Sequence, residues 1–161
     1  MDDIKINTIN ARTGICSFED ARGFFKFNIP QILFVGSPVY QLATEELYIV
    51  VSRTNEGGTL VPFDAVRAVN FRPVPFIFKE VIKAYNSTEL GLMLPHEFIA
   101  PINTVRGWAW MGNDGGVILK DTFYKTEVEA RAKLLLYFLD LTIIELSDIL
   151  DTWEKNLKLL T

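Results

Sequence analysis

Residues 133–160 read KLLLYFLDLTIIELSDILDTWEKNLKLL, and the reading of this stretch decides the fold. Counted from Thr126, apolar residues fall at Ala132, Leu136, Leu139, Ile143, Leu146, Leu150, Trp153, Leu157 and Leu160, with steps that alternate four and three. That is the a/d seam of a heptad repeat. Thr126 followed by Glu129 has the form of a capping box, so the helix is expected to start there. No glycine follows Gly116 and no proline follows Pro101, so no obvious breaker ends it.

Leu134, Leu135, Phe138, Leu141 and Ile144 widen the first half of the seam to nearly every face, which predicts burial in the domain. Past Asp148 the apolar positions thin to a stripe. One unbroken helix from Thr126 to Leu160 would run about 50 Å at about 1.5 Å per residue, longer than a domain of this size is wide. The far stripe, Leu146, Leu150, Trp153, Leu157 and Leu160, then needs a cover, and a second copy of the chain is the simplest one. The competing reading breaks the helix near Asp140, because Thr142 and Glu145 repeat the capping-box spacing and permit a helix folded back on the first. In that case the stripe is satisfied within one chain.

Upstream, LYIVVSR and TLVPFDAVRAVNF flank TNEGG, and this predicts a hairpin whose glycines supply the turn. Pro62 has no N–H to give a ladder, so its arm is expected at a sheet edge or irregular at its start. IKINTI alternates like a strand, while FFKF and ILFV suit two short strands punctuated by Pro30 and Gly36-Ser37-Pro38. In PFIFKEVIKAYN the positions Ile77, Val81, Ile82 and Tyr85 have helical spacing, and a short helix over 76–86 ending at Asn86 is expected. VRGWAWMGNDGGVILKDTFY reads as a second hairpin turned through Gly112–Gly116. The expected fold is α+β: a mainly antiparallel sheet with one short helix and a long C-terminal helix packed on one face. Residues 1–125 form the strand-rich body, and 126–161 the helix of the same domain.

A net charge of −4 and a pI near 5.0 argue against holding phosphate backbones or an anionic membrane by bulk attraction. Cys16 is the only cysteine, which rules out an intrachain disulfide and suits a reducing compartment. MDDIKINTIN places acid where a secretory leader is basic, and the apolar runs are short and interrupted by acids, so a cytoplasmic protein without a membrane span is expected.

His96 is the only histidine, which excludes zinc sites built on two or three His ligands, and neither phosphate-loop pattern occurs. No cofactor or metal is implied. His96 beside Glu97, together with Asp114, are the residues to name for carboxylate or general acid/base chemistry, although MLPHEFIAP reads more simply as a loop. Trp108 and Trp110 lie two apart on an expected strand and share a face with Arg106. With Asn113 and Asp114 from the following turn they form a candidate platform for a planar ligand or a single strand; the alternative packs both indoles beneath the helix. The reading with most support is a non-enzymatic interaction or regulatory protein that self-associates, as a homodimer, or docks on a protein partner through its heptad-patterned helix. A ligand- or single-strand-binding module and a hydrolase-type enzyme are the alternatives, and nucleic acid is disfavoured by charge.

Overall fold

The structure is a computed structural model that describes residues 14–29, 31–63, 72–94, 100–111, 117–118, 123–142 and 145–151. The fold is α+β, and the chain divides into two compact units: one formed by Ala21–Tyr85, the other by Met1–Asp20 with Asn86–Thr161.

Helix α1, Phe18–Lys26, lies where the FFKF strand was expected. Two local devices override that reading. Ser17 Oγ accepts the Asp20 N–H at 3.1 Å, which caps the start. At the other end Asn28 takes φ 61°. The N–H groups of Asn28 and Ile29 return to the carbonyls of Phe25 and Phe24, a Schellman stop with Phe24 and Ile29 both buried.

The unit Ala21–Tyr85 is built on five antiparallel strands: β1 Pro38–Gln41, β2 Leu47–Arg53, β3 Gly57–Pro62, β4 Val74–Ile77 and β5 Val81–Lys83, in the order β4-β3-β2-β1-β5. β4 and β5 occupy opposite edges, yet a 3-10 turn of three residues, Phe78–Glu80, joins them. In a flat sheet four strand spacings of about 4.8 Å would separate them by about 19 Å. Four Cα steps of about 3.8 Å reach only about 15 Å, so the sheet must curl. A register shift between Val50 and Ser52 bends β2 and eases that curl. Leu33, Val39, Val50, Leu60, Phe76 and Val81 fill the interior, with Tyr48 and Phe78 packed against them.

The β2–β3 hairpin turns through Asn55 and Glu56, with the Thr54 N–H donating to the Gly57 carbonyl at 2.8 Å. Gly57 serves close approach, since a Cβ there would sit 1.9 Å from the Phe76 carbonyl oxygen. Pro62 does not put its strand at an edge. β3 lies between β2 and β4, but β4 pairs only with Gly57 through Leu60, so the proline ring lies beyond the shared ladder.

No helix covers 76–86: Pro75 lies within β4, and the chain continues as β4, the 3-10 turn and β5. The ILFV stretch is an irregular segment leading into a turn rather than a strand. Helix α2, Ser87–Met93, begins just after the expected helix was to end. Asn86 is its N-cap, accepting from Glu89 N–H at 2.8 Å while Glu89 accepts from Asn86 N–H at 3.3 Å.

In the second unit β6 Ala100–Thr104, β7 Gly107–Met111 and β8 Val117–Ile118 form a three-stranded antiparallel sheet, and β7 pairs with β8 as the second hairpin requires. Helix α3, Glu127–Asp140, starts at the expected cap, where Thr126 Oγ1 accepts Glu129 N–H at 3.2 Å. It buries Val128, Ala130, Ala132, Leu134, Leu135, Phe138 and Leu139. Arg131 crosses Gly91 of α2 to reach the Ser87 carbonyl at 3.1 Å, and pairs with Glu127 at 2.7 Å.

The unbroken helix to Leu160 is not formed. α3 ends at Asp140, and Thr142 adopts φ 57°, with its N–H donating to the Leu139 carbonyl at 3.2 Å. A new helical segment, α4 over 146–151, starts from Glu145, whose N–H donates to Asp148 Oδ2 at 2.9 Å. The break is therefore made by a left-handed Thr142 and an Asp148 cap rather than by the Thr142–Glu145 box. Ile149, off the expected seam, is the buried residue of α4, while Leu150 on the seam is exposed. Trp153, Leu157 and Leu160 lie outside the described residues. With the rod interrupted, the length argument for a second chain no longer holds. Among the described residues no helix is long and apolar enough to cross a membrane.

Candidate functional site

The expected aromatic platform is only partly on display. Trp110 is 1% exposed, and its indole N–H donates to the Ala130 carbonyl at 2.6 Å, so the ring packs under α3. Trp108 is half-buried and shares a two-bond bridge with Tyr124, at 2.7 and 2.8 Å. Arg106 belongs to the β6–β7 turn rather than to the strand, its N–H held by Thr104 Oγ1 and its guanidinium 5.8 Å from the centre of the Phe123 ring. Asn113 and Asp114 lie outside the described residues, as do His96 and Glu97. The turn at Val105–Arg106 means that β7 starts only at Gly107, so Arg106 is not on the strand that carries the two indoles.

The second unit also holds an ion pair, with a buried carboxylate and a half-exposed ammonium, that the sequence did not single out. Asp20 is 1% exposed, and its Oδ1 accepts from Lys133 Nζ at 2.7 Å. Its Oδ2 is buried with no hydrogen-bond partner among the described residues. Burial raises the Asp20 carboxyl above its ordinary 3.8, outweighing the pull of Lys133 and the Ser17 hydrogen bond in the other direction. For Lys133 burial acts downward, but the charge and hydrogen bond of Asp20, with Glu19 and Glu129, hold the ammonium above 10.5. Burial likewise raises the Tyr124 phenol above 10.0 against the opposing charge of Lys133, with Glu129 and Asp20 adding to the rise. Asp20 lies three residues from Ser17 but 113 from Lys133, so no local motif could reveal the pair.

In the first unit the ILFV stretch carries the clearest surface feature. Leu33 is sealed in the core at 3% exposure, whereas Ile32, Phe34 and Val35 are 45%, 60% and 65% exposed. Ile32 and Phe34 thus face solvent, while Leu33 between them faces the core. This backbone is well anchored. Gln31 Nε2 donates to the Ile29 carbonyl and to the Tyr85 hydroxyl, and its Oε1 accepts the Lys83 N–H at 2.7 Å. Lys83 Nζ donates to the Ile32 carbonyl at 3.1 Å. The turn itself is closed by Phe34 N–H to Ser37 Oγ at 2.9 Å and tied to β2 by Gly36 N–H to the Val50 carbonyl at 2.7 Å, which Gly36 reaches at φ 96°. On α1 the exposed residues Arg22, Phe25 and Lys26 share one face at spacings of three and four.

Among the described residues no three of His, Cys, Asp and Glu gather as a metal site. Cys16 is buried. Of the expected interface, Leu146 is half-buried and Leu150 is 39% exposed. Comparison with family models, with curated proteins and with solved structures finds no match to this chain. The site is therefore read from its own geometry.

Proposed function

We propose that this chain is a non-enzymatic interaction protein that docks on a protein partner. The observation that carries the proposal is the rigid outward presentation of Ile32, Phe34 and Val35, large apolar side chains on a backbone fixed by Gln31, Lys83, Ser37 and Val50. Fully burying a side chain of this size is worth about 1.5–3 kcal/mol. A backbone already ordered loses little more entropy when a partner covers it. The contact surface thus lies in a different place from the heptad seam, although Leu141 and Leu150 remain exposed apolar residues flanking the break in the C-terminal helix.

A photo-crosslinking side chain placed at Phe34 in the full-length protein, in the cells that make it, tests this reading. A discrete protein adduct from position 34, and none from an equivalent probe at exposed Glu45, is the expected result. Absence of any protein adduct at position 34 would remove the proposal. Light scattering of the purified chain shows whether the partner is a second copy, in which case the mass doubles with concentration.

A further inference from the structure

Helix α3 ends at Asp140 without the devices that usually end a helix. The left-handed position is taken neither by glycine nor by asparagine but by Thr142, whose β-branched side chain is unfavourable at φ 57°. The last turn carries no basic residue, and Asp140 sets a negative charge at the negative end of the helix dipole. After Gly116 the chain has no glycine, and the four-and-three spacing of apolar residues passes through Asp140-Leu141-Thr142 without a slip. Local sequence therefore asks for helix where the structure has a break, a conflict between levels that marks strained or functional places. Two features beyond the break oppose it. Glu145 N–H donates to Asp148 Oδ2 at 2.9 Å, which closes the first turn of α4, and Ile149 is fully buried. A helix as short as α4 is not stable in isolation, so the burial of Ile149 carries most of its hold. Leu141 and Leu150 gain little from the break, being 51% and 39% exposed.

We infer that the joint at 141–145 is a two-state device, in which the broken form seen here exchanges with a continuous helix that runs from α3 through Thr142 into α4 and withdraws Ile149 from its buried seat. This is independent of the docking reading, which concerns residues of the other unit. The two forms trade unlike contributions. Straightening frees Thr142 from its left-handed geometry, moves Asp140 off a helix end and adds hydrogen-bonded turns. Breaking buries Ile149 and satisfies the Glu145 N–H through Asp148. Opposed contributions keep the gap small, so the continuous form is a populated minority. Its consequence is specific. Leu146, Ile149 and Leu150 share one face at spacings of three and four, and straightening uncovers the one of them that the broken form seals.

The test is a distance measurement between spin labels in the full chain, placed by Tyr137→Cys and Asp151→Cys at two exposed positions, with Cys16 buried and out of the label's reach. In a continuous helix the two backbones stand about 21 Å apart, fourteen residues at about 1.5 Å each. Thr142→Gly favours the left-handed joint and gives the separation of the broken form. The native chain should show that separation with a minor population near 21 Å. In the double variant Thr142→Ala, Asp148→Ala the ratio of continuous to broken form should rise at least about tenfold over Thr142→Gly, with a gain in helical circular dichroism. Ile149→Ala removes the anchor of the broken form and should shift the ratio the same way, again with a gain in helicity. One unchanged separation across the native chain and all three variants overturns the inference. So does a broad distribution with falling helicity in Ile149→Ala, which would mean that α4 frays when released instead of joining α3.

Discussion

The indole N–H of Trp110 donates to the backbone carbonyl of Ala130 at 2.6 Å, so the central strand of the three-stranded sheet is fastened to the first turns of α3 by one buried bond. The carbonyl already serves the helix ladder, and the indole uses its second lone pair. Trp110→Phe removes the donor and part of the ring, and should cost about 1–3 kcal/mol in denaturant unfolding; Trp110→Ala should cost about 3–5 kcal/mol. Trp108→Ala, at a half-buried position, should cost clearly less. Equal losses at the two positions would contradict the asymmetry seen here.

The Asp20–Lys133 pair gives stability an unusual pH dependence. Because the folded carboxyl sits above its unfolded value of 3.8, the folded state binds the extra proton in the window above that value, and this group's contribution to stability falls as pH rises through it. Lys133 behaves in the opposite region: its raised folded value means that its contribution holds below 10.5 and is lost as pH climbs through the folded value. Relative to Asp20→Asn, the native protein should gain stability between neutral pH and about pH 4. Lys133→Met leaves a buried carboxylate without its counter-charge and should lower stability near neutral pH, and much less in acid, the loss being tempered by the partial exposure of the ammonium. Paired urea titrations at both pH values check this. A loss of relative stability of the native protein on acidification would show that the ion pair outweighs burial.

Among the described residues β4 has no strand on its outer side, and that edge is guarded. Phe78 N–H turns back to the Glu56 carbonyl at 3.2 Å, and the alternate N–H positions on the outer side of β4 are Pro75, which has none, and Ile77, whose N–H is held by Glu80 at 2.9 Å. Neither can template another strand. The double variant Pro75→Val, Glu80→Ala exposes two donors beside Val74 and Ile77 and should form concentration-dependent aggregates that bind an amyloid dye. Light scattering that stays at the monomer value would show that the edge needs no guard.

Much of the fold is written locally and much is not. Thr126 with Glu129 and the run TNEGG announce a helix start and a hairpin through chemistry confined to a few residues, and both are found, although Asn55 and Glu56 make the turn and the two glycines expected there belong to β3. PFIFKEVIKAY misleads because Val81 through Tyr85 are all buried, so the alternation that marks a strand is missing and a chance helical spacing remains. FFKF misleads because the signals that make it helical, Ser17 and Asn28, lie outside the aromatic cluster. The apolar turn is invisible for a similar reason: in ILFV every residue is apolar, and only the curled sheet decides that Leu33 turns inward while Ile32 and Phe34 do not.

The break after α3 makes the sharpest prediction, because it reverses a sign. Thr142 is β-branched and sits at φ 57°, where a side chain costs about 1 kcal/mol or more and glycine costs little. At this position Thr142→Gly should therefore be more stable than Thr142→Ala, by about 1 kcal/mol. In an uninterrupted helix the order is the opposite, since glycine is about 1 kcal/mol worse than alanine in a helix interior. Both variants share an exposed site, so packing changes little between them. Thermal or urea unfolding of the two side by side decides the matter. Alanine above glycine would restore the continuous rod, and with it the reach that the heptads from Leu146 to Leu160 were expected to give.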